Sequence, residues 1–111
     1  MQRESPNIIL SISAVPGKFG ETVHNAGYSH SNLNYVYKAI KVQNLKKTIE
    51  SIRLLNISGC SVSMPYKEEA MKYIDHVDTL AKKTGAINTI LRKNNKLVGF
   101  NTDVYGAIKS L

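Results

Sequence analysis

Three short segments hold the residue types that could do chemistry: SVSMPYK at 61–67, GAINT at 85–89 and FNTD at 100–103. Each adjoins an apolar stretch of strand-like composition. Lys67, Asn88 and Asp103 are therefore expected at the ends of three strands, converging at one edge of a sheet. A lysine that gives or takes a proton, a carboxylate and an amide in one place make a substrate site rather than a core.

The local pattern around Lys67 sharpens this. Cys60 to Met64 alternates apolar and hydroxylic residues, so Cys60, Val62 and Met64 are expected to face the core and Ser61 and Ser63 the opposite side. Pro65 ends the strand and suits the first turn of a helix. Lys67 would then lie in that first turn, where the helix dipole opposes a cation by about 0.3 to 1 kcal/mol and lowers its pKa. Glu68 and Glu69 offset the cost. The competing reading is a solvated surface lysine. For Asn101-Thr102-Asp103 it is helix capping, with Thr102 or Asp103 capping a terminal helix at 104–111; capping and catalysis are compatible.

The rest of the chain supplies elements able to position these groups. Strands are expected at 8–13, 35–42 and 59–64, and helices at 21–31, 44–55 and 65–83, the last with a break near Asp78. Leu45, Ile49, Ile52 and Leu55 recur at helical spacing, as do Ala70, Met71, Ile74, Val77 and Ala81, and both stripes read as core. Two apolar runs, 86–91 and 96–100, flank Arg92-Lys93-Asn94-Asn95, whose asparagines accept the positive φ of a hairpin turn. The expected class is α/β: a mixed, mostly parallel sheet with a C-terminal antiparallel hairpin and helices on both faces.

These motifs, with HNAGY at 24–28 and LNYVYKAI at 33–40, resemble the N-terminal substrate-binding domain of the shikimate and quinate dehydrogenase family, in the family's order and spacing from about Ile8 to Leu111. That family reduces 3-dehydroshikimate to shikimate with NADPH, or oxidises quinate with NAD, in a cleft between this domain and a nucleotide-binding one. The resemblance implies that Lys67 and Asp103 are catalytic and that Ser63 and Asn88 bind substrate. An ammonium at the ketone oxygen would stabilise developing charge and supply the proton, while Asp103 orients the lysine and accepts from a neighbouring hydroxyl.

The departures matter equally. Where the family has a Ser-x-Ser pair whose hydroxyls bind the substrate carboxylate, this chain has Lys18 and Gly20. Lys18 could pair with the carboxylate instead; a loop lysine beside Gly17 is as often simply solvated. Tyr66 replaces the usual histidine before the lysine, and Val104 the usual glycine after Asp103. These changes resemble the shikimate dehydrogenase-like branch.

With 111 residues the chain holds one domain at most. No G-x-G-x-x-G follows a strand, so residues 1–111 read as the substrate domain without its nucleotide domain. The chain reads as truncated. NADP(H) or NAD(H) would serve the full-length family, none is expected to bind this chain alone, and the isolated chain is expected not to transfer hydride. The competing function is a non-catalytic standalone domain that binds a polyhydroxylated carboxylic acid or a protein partner. A face left by the missing domain could promote self-association.

Composition excludes several classes. The single cysteine, Cys60, allows no internal disulfide and fits a reducing cytoplasm. No run approaches the roughly 18 apolar residues of a membrane span, and no signal peptide is evident. Fifteen Lys and Arg against eight Asp and Glu give a net charge of +7, but the lysines are scattered and no nucleic-acid module accompanies them. His24, His30 and His76 have no metal-ligand spacing. The expected partner is a small molecule, shikimate or a related cyclohexane carboxylate.

Overall fold

The computed structural model describes residues 7–17 and 19–103. Among them one sheet runs in the order β2-β1-β3-β5-β6-β4. Its strands are β1 (Asn7–Ser13), β2 (Tyr35–Lys41), β3 (Gly59–Val62), β4 (His76–Val77), β5 (Thr89–Lys93) and β6 (Lys96–Phe100). The β1–β2, β1–β3 and β4–β6 pairs are parallel, and β5 alone runs against its neighbours β3 and β6. This is the mixed, mostly parallel sheet with a closing hairpin that the pattern of apolar runs predicts. The hairpin turns at Asn94 and Asn95, with φ of 49° and 64°, the left-handed pair that matches strand twist.

Alternation along the strands divides the sheet into two faces. On one, Ile12, Cys60, Val62 and Ile90 are buried against Leu45, Ile49 and Ile52 of α2 (Leu45–Leu54). On the other, register aligns Ala39, Ser11, Ser61 and Thr89 across β2, β1, β3 and β5, a row of small and hydroxylic side chains. Helix α1 (Phe19–His30) packs on this second side, where His24 stacks on Tyr37 with ring centroids 4.3 Å apart. It also closes the sheet edge. Asn25 accepts from Tyr37 N at 2.8 Å and donates to Tyr37 O at 2.9 Å, and Glu21 accepts from Ala39 N at 2.8 Å. An edge strand whose backbone groups are already bonded offers little template for another chain.

Three local expectations fail, each for a physical reason. Residues 65–83 do not form one helix: a 3₁₀ turn at Glu69–Lys72, β4 and the short α3 (Thr79–Thr84) replace it. Asp75 accepts from Leu97 N at 2.8 Å, and Asp75 N and Asp78 N donate to Leu97 O and Gly99 O, so this stretch is drawn out along β6 as an edge strand. Gly99 permits the approach. A Cβ there would lie 2.5 Å from Ile74 Cδ1 and 2.9 Å from Ile87 Cγ2. Met64 is 66% exposed, because β3 ends at Val62 and the pleat no longer governs it. Leu55, 70% exposed, lies past the last turn of α2, where the helical stripe has ended.

Asp75 gives the fold a pH dependence. The Leu97 N–H and then the Arg53 guanidinium hold its carboxyl below the usual carboxylate range. A depressed folded pKa stabilises the protein above the unfolded value of about 3.9 and ceases to do so as pH falls through the lower folded value. Because the side chain is about one-third exposed, the effect is modest. Urea unfolding of Asp75→Asn is expected to show about 1 kcal/mol less stability than the parent at pH 7. The gap should narrow below about pH 4, and an unchanging gap would mean that the aspartate charge is immaterial.

Candidate functional site

Lys67 stands in the turn after β3, not in the first turn of an α-helix, so the helix-dipole argument does not apply to it. Its placement comes from main-chain bonds. Lys67 O accepts from Ile87 N at 2.9 Å, Val62 N donates to Asn88 O at 2.8 Å, and Asn88 N donates to Phe100 O at 2.9 Å. These three bonds join the segments around Lys67, Asn88 and Asp103 at one end of the sheet, the convergence expected of them.

Asn88 acts within this knot as a clamp. Its Oδ1 accepts from Thr102 N at 3.0 Å and from Thr89 Oγ1 at 2.9 Å, while its Nδ2 donates to Thr102 Oγ1 at 2.9 Å. Most of the amide is therefore spent on holding the residue before Asp103, and one N–H remains for a ligand. The sequence offers Thr102 only as a candidate helix cap, not as a site residue; its place between Asn101 and Asp103 was the available signal. Asp103 Oδ2 then lies 4.0 Å from Lys67 Nζ, with the lysine side chain 29% exposed and the aspartate 77%. An ion pair this open contributes little to stability. What it offers is an ammonium with a carboxylate beside it, both reachable by a small molecule.

Ser63 begins the turn that leads to Lys67. Its N–H donates to Ile12 O at 3.1 Å, and its hydroxyl has no hydrogen-bond partner among the described residues. Ser63 also lines an open pocket of about 420 Å³ with Ser11, Ser13 and Tyr37. Those three went unnoticed in the sequence, although the period-two alternation of β1 places both serines on the face that carries Ser61. Lys18 lies outside the described residues, as do 104–111 and any helix that Thr102 or Asp103 would cap there. Cys60 is no nucleophile. Burial pushes its thiol up to about 12, so the thiolate is suppressed.

Residues 19–90 match the model of the shikimate dehydrogenase substrate binding domain. The chain belongs to this family. Its relatives include the NADP(+) shikimate dehydrogenase of Alkaliphilus oremlandii, 44% identical over 84% of this chain and 33% of that protein. A shikimate dehydrogenase-like protein of Haemophilus influenzae is 37% identical over 98% of this chain and 40% of its own length. The chain thus spans 40% or less of these two relatives. Among solved structures, the shikimate 5-dehydrogenase of Listeria monocytogenes in complex with shikimate and NAD superposes with a TM-score of 0.83 at 32% identity, covering 96% of this chain and 38% of that one. Among the described residues no helix of this shikimate dehydrogenase substrate-binding domain is long and apolar enough to cross a membrane.

Proposed function

We propose that this domain is the substrate-holding part of a shikimate dehydrogenase, acting in the reversible NADP-dependent reduction of 3-dehydroshikimate to shikimate. The observation that supports this most directly is Lys67 Nζ at 4.0 Å from Asp103 Oδ2, on a turn clamped by Asn88.

The chemistry assigned to this chain is that of one proton. In ketone reduction Lys67 Nζ gives its proton to the carbonyl oxygen as negative charge develops there; in alcohol oxidation the neutral amine takes it back. Asp103 holds the ammonium in place and accepts from the hydroxyl on the adjacent ring carbon, while Ser63 and the remaining Asn88 N–H contact further hydroxyls. The sequence carries no G-x-G-x-x-G after a strand, the feature that a dinucleotide cradle calls for. The nicotinamide, which supplies the hydride in the relatives, is therefore assigned to residues beyond this domain, as is any NADP or NAD preference. The domain alone is read as catalytically silent. A purely binding domain is the weaker reading, since binding alone does not call for a lysine–aspartate proton-transfer pair.

An NMR titration of the 111-residue chain with shikimate tests the reading. Saturable amide shifts at Ser63, Lys67, Asn88 and Asp103 are expected at millimolar ligand, with smaller shifts for quinate. Their absence with both ligands would remove the small-molecule reading of this site.

A further inference from the structure

Helix α2 covers only part of the sheet face on which it packs. Ile12 is buried beneath it, but toward β2 the register sets Ile8 beside Val36 on the same face, and these stay 37% and 43% exposed. With Leu10, Ile40, Ile57 and Leu55 they line an open groove of about 410 Å³. Strand alternation puts this groove on the opposite face from Ser11 and Ser61, so it has no part in the lysine–aspartate site. Lys38, the one charged residue in the lining, is paired with Glu21 at 3.2 Å.

The groove becomes positive at its other end. Lys41 follows Ile40 on β2, and on the side of α2 that carries Leu55 come Ser51 one turn earlier and Thr48 and Lys47 two turns earlier; these residues line the adjoining depression. Neither Lys41 nor Lys47 pairs with an acid among the described residues. Helix α2 carries Lys46, Lys47 and Arg53 against Glu50 alone, and its N-terminus, the positive end of its dipole, lies at this same end.

Shape and charge together select the occupant. An added strand is refused, because Asn25 and Glu21 already bond the outward backbone groups of Tyr37 and Ala39 on β2. A second copy of the domain would set groove against groove and lysine against lysine, which fills no space. A helix beside α2 would lie about 8 to 10 Å from it, some two strand spacings, and so directly over β2. The seven residues of β2 run for about 23 Å, the length of a helix of about 15 residues.

We propose that this groove docks an amphipathic helix of a separate protein, its apolar stripe seated on Ile8, Val36, Ile40 and Leu55 and its acidic residues meeting Lys41 and Lys47. The mode is that of a helix laid in a groove, with anchors at i, i+3, i+4 and i+7. It stands apart from the reading of Lys67 and Asp103.

A synthetic peptide of about 15 residues, with a leucine stripe at that spacing, glutamates flanking it and alanines elsewhere, is the probe. Its counterpart carries lysine for every glutamate. Titration of the 111-residue chain is expected to move the amides of Ile8, Val36, Ile40 and Leu55, with the acidic peptide bound about tenfold tighter than the basic one. Leu55→Glu, at a site already 70% exposed, should weaken the acidic peptide at least about tenfold while the amides of Lys67 and Asn88 keep their positions and so report an intact fold. Lys41→Glu with Lys47→Glu should reverse the preference between the peptides. Equal affinity for both peptides, or no shifts in the groove at millimolar peptide, would overturn the proposal. So would groove shifts that depend on protein concentration without peptide, which would make a second copy the occupant. A chimera of this domain with the remaining portion of the Alkaliphilus oremlandii enzyme gives the last arm: a groove there that no longer answers the peptide is filled by the same polypeptide, and the separate partner is refuted.

Discussion

Lys67→Met is expected to abolish turnover in a chimera that joins this domain to the remaining portion of the NADP(+) shikimate dehydrogenase of Alkaliphilus oremlandii, lowering kcat by about 10² to 10⁴-fold, the usual contribution of a positioned general acid. The substitution suits the question. Lys67 reaches the rest of the site through its main-chain carbonyl, bonded to Ile87 N at 2.9 Å, and any residue can make that bond. Its side chain meets Asp103 only at 4.0 Å with both groups partly open to solvent, so little stability rests on the ammonium. Methionine keeps the length of the stem and removes the proton. Shikimate oxidation followed by absorbance of the reduced nicotinamide, with KM measured alongside, separates the roles. A fall in kcat at near-constant KM fits proton transfer, whereas a rise in KM at constant kcat would make Lys67 a binding residue and withdraw its catalytic assignment. Asp103→Asn in the same chimera should fall between the two, because the amide can still orient the lysine but cannot balance its charge.

How far the sequence foretold this arrangement varies with the range of the interactions involved. The hairpin was readable because Asn94 and Asn95 accept positive φ at low cost, a local property of residue type. The stripe of Leu45, Ile49 and Ile52 was readable because one helix face sees one environment. Convergence of Lys67, Asn88 and Asp103 followed from strand order and the motifs of the family, and main-chain bonds between their segments now account for it. The stretch 65–83 was misread because its apolar spacing fits a helix while its conformation is decided by a partner 22 residues away: Asp75 binds the backbone of β6. Met64 and Leu55 were misplaced by extending a period one step past the end of its element. Tyr37 could not have been found from its own neighbours. Its place in the pocket wall depends on Gly20 and His24 of α1 lying across β2, a contact between elements.

The largest expected stability effect lies far from the site, at Arg92 in β5. Its Nη2 donates to Ile52 O at 2.8 Å and Arg53 O at 3.0 Å, two carbonyls at the C-terminal end of α2, and its Nε donates to Ile57 O at 3.1 Å in the link to β3. One guanidinium thus adds a second donor to Ile52 O and Arg53 O, which also accept from Ile57 N and Asn56 N, and its charge stands at the negative end of the helix dipole. It also anchors α2 to the sheet, and Ile49 and Ile52 of that helix fill the core beneath β1 and β3. Arg92→Ala removes a donor from each of three partly buried carbonyls, two of which, Ile52 O and Arg53 O, keep a backbone N–H, which is expected to cost about 2 kcal/mol, a sizeable share of the 5–15 kcal/mol typical of a domain. For a chain of this size that corresponds to a drop in Tm of roughly 7 to 12 °C. Arg92→Lys distinguishes charge from geometry. An ammonium keeps the favourable dipole interaction but cannot reach three carbonyls as a planar fork does, so recovery of about 1 kcal/mol is expected, not of the whole loss. Thermal unfolding of the two variants beside the parent decides it. Full recovery by lysine would make the interaction one of charge alone, and an Arg92→Ala loss under about 1 kcal/mol would mean that water replaces the guanidinium at these carbonyls without penalty.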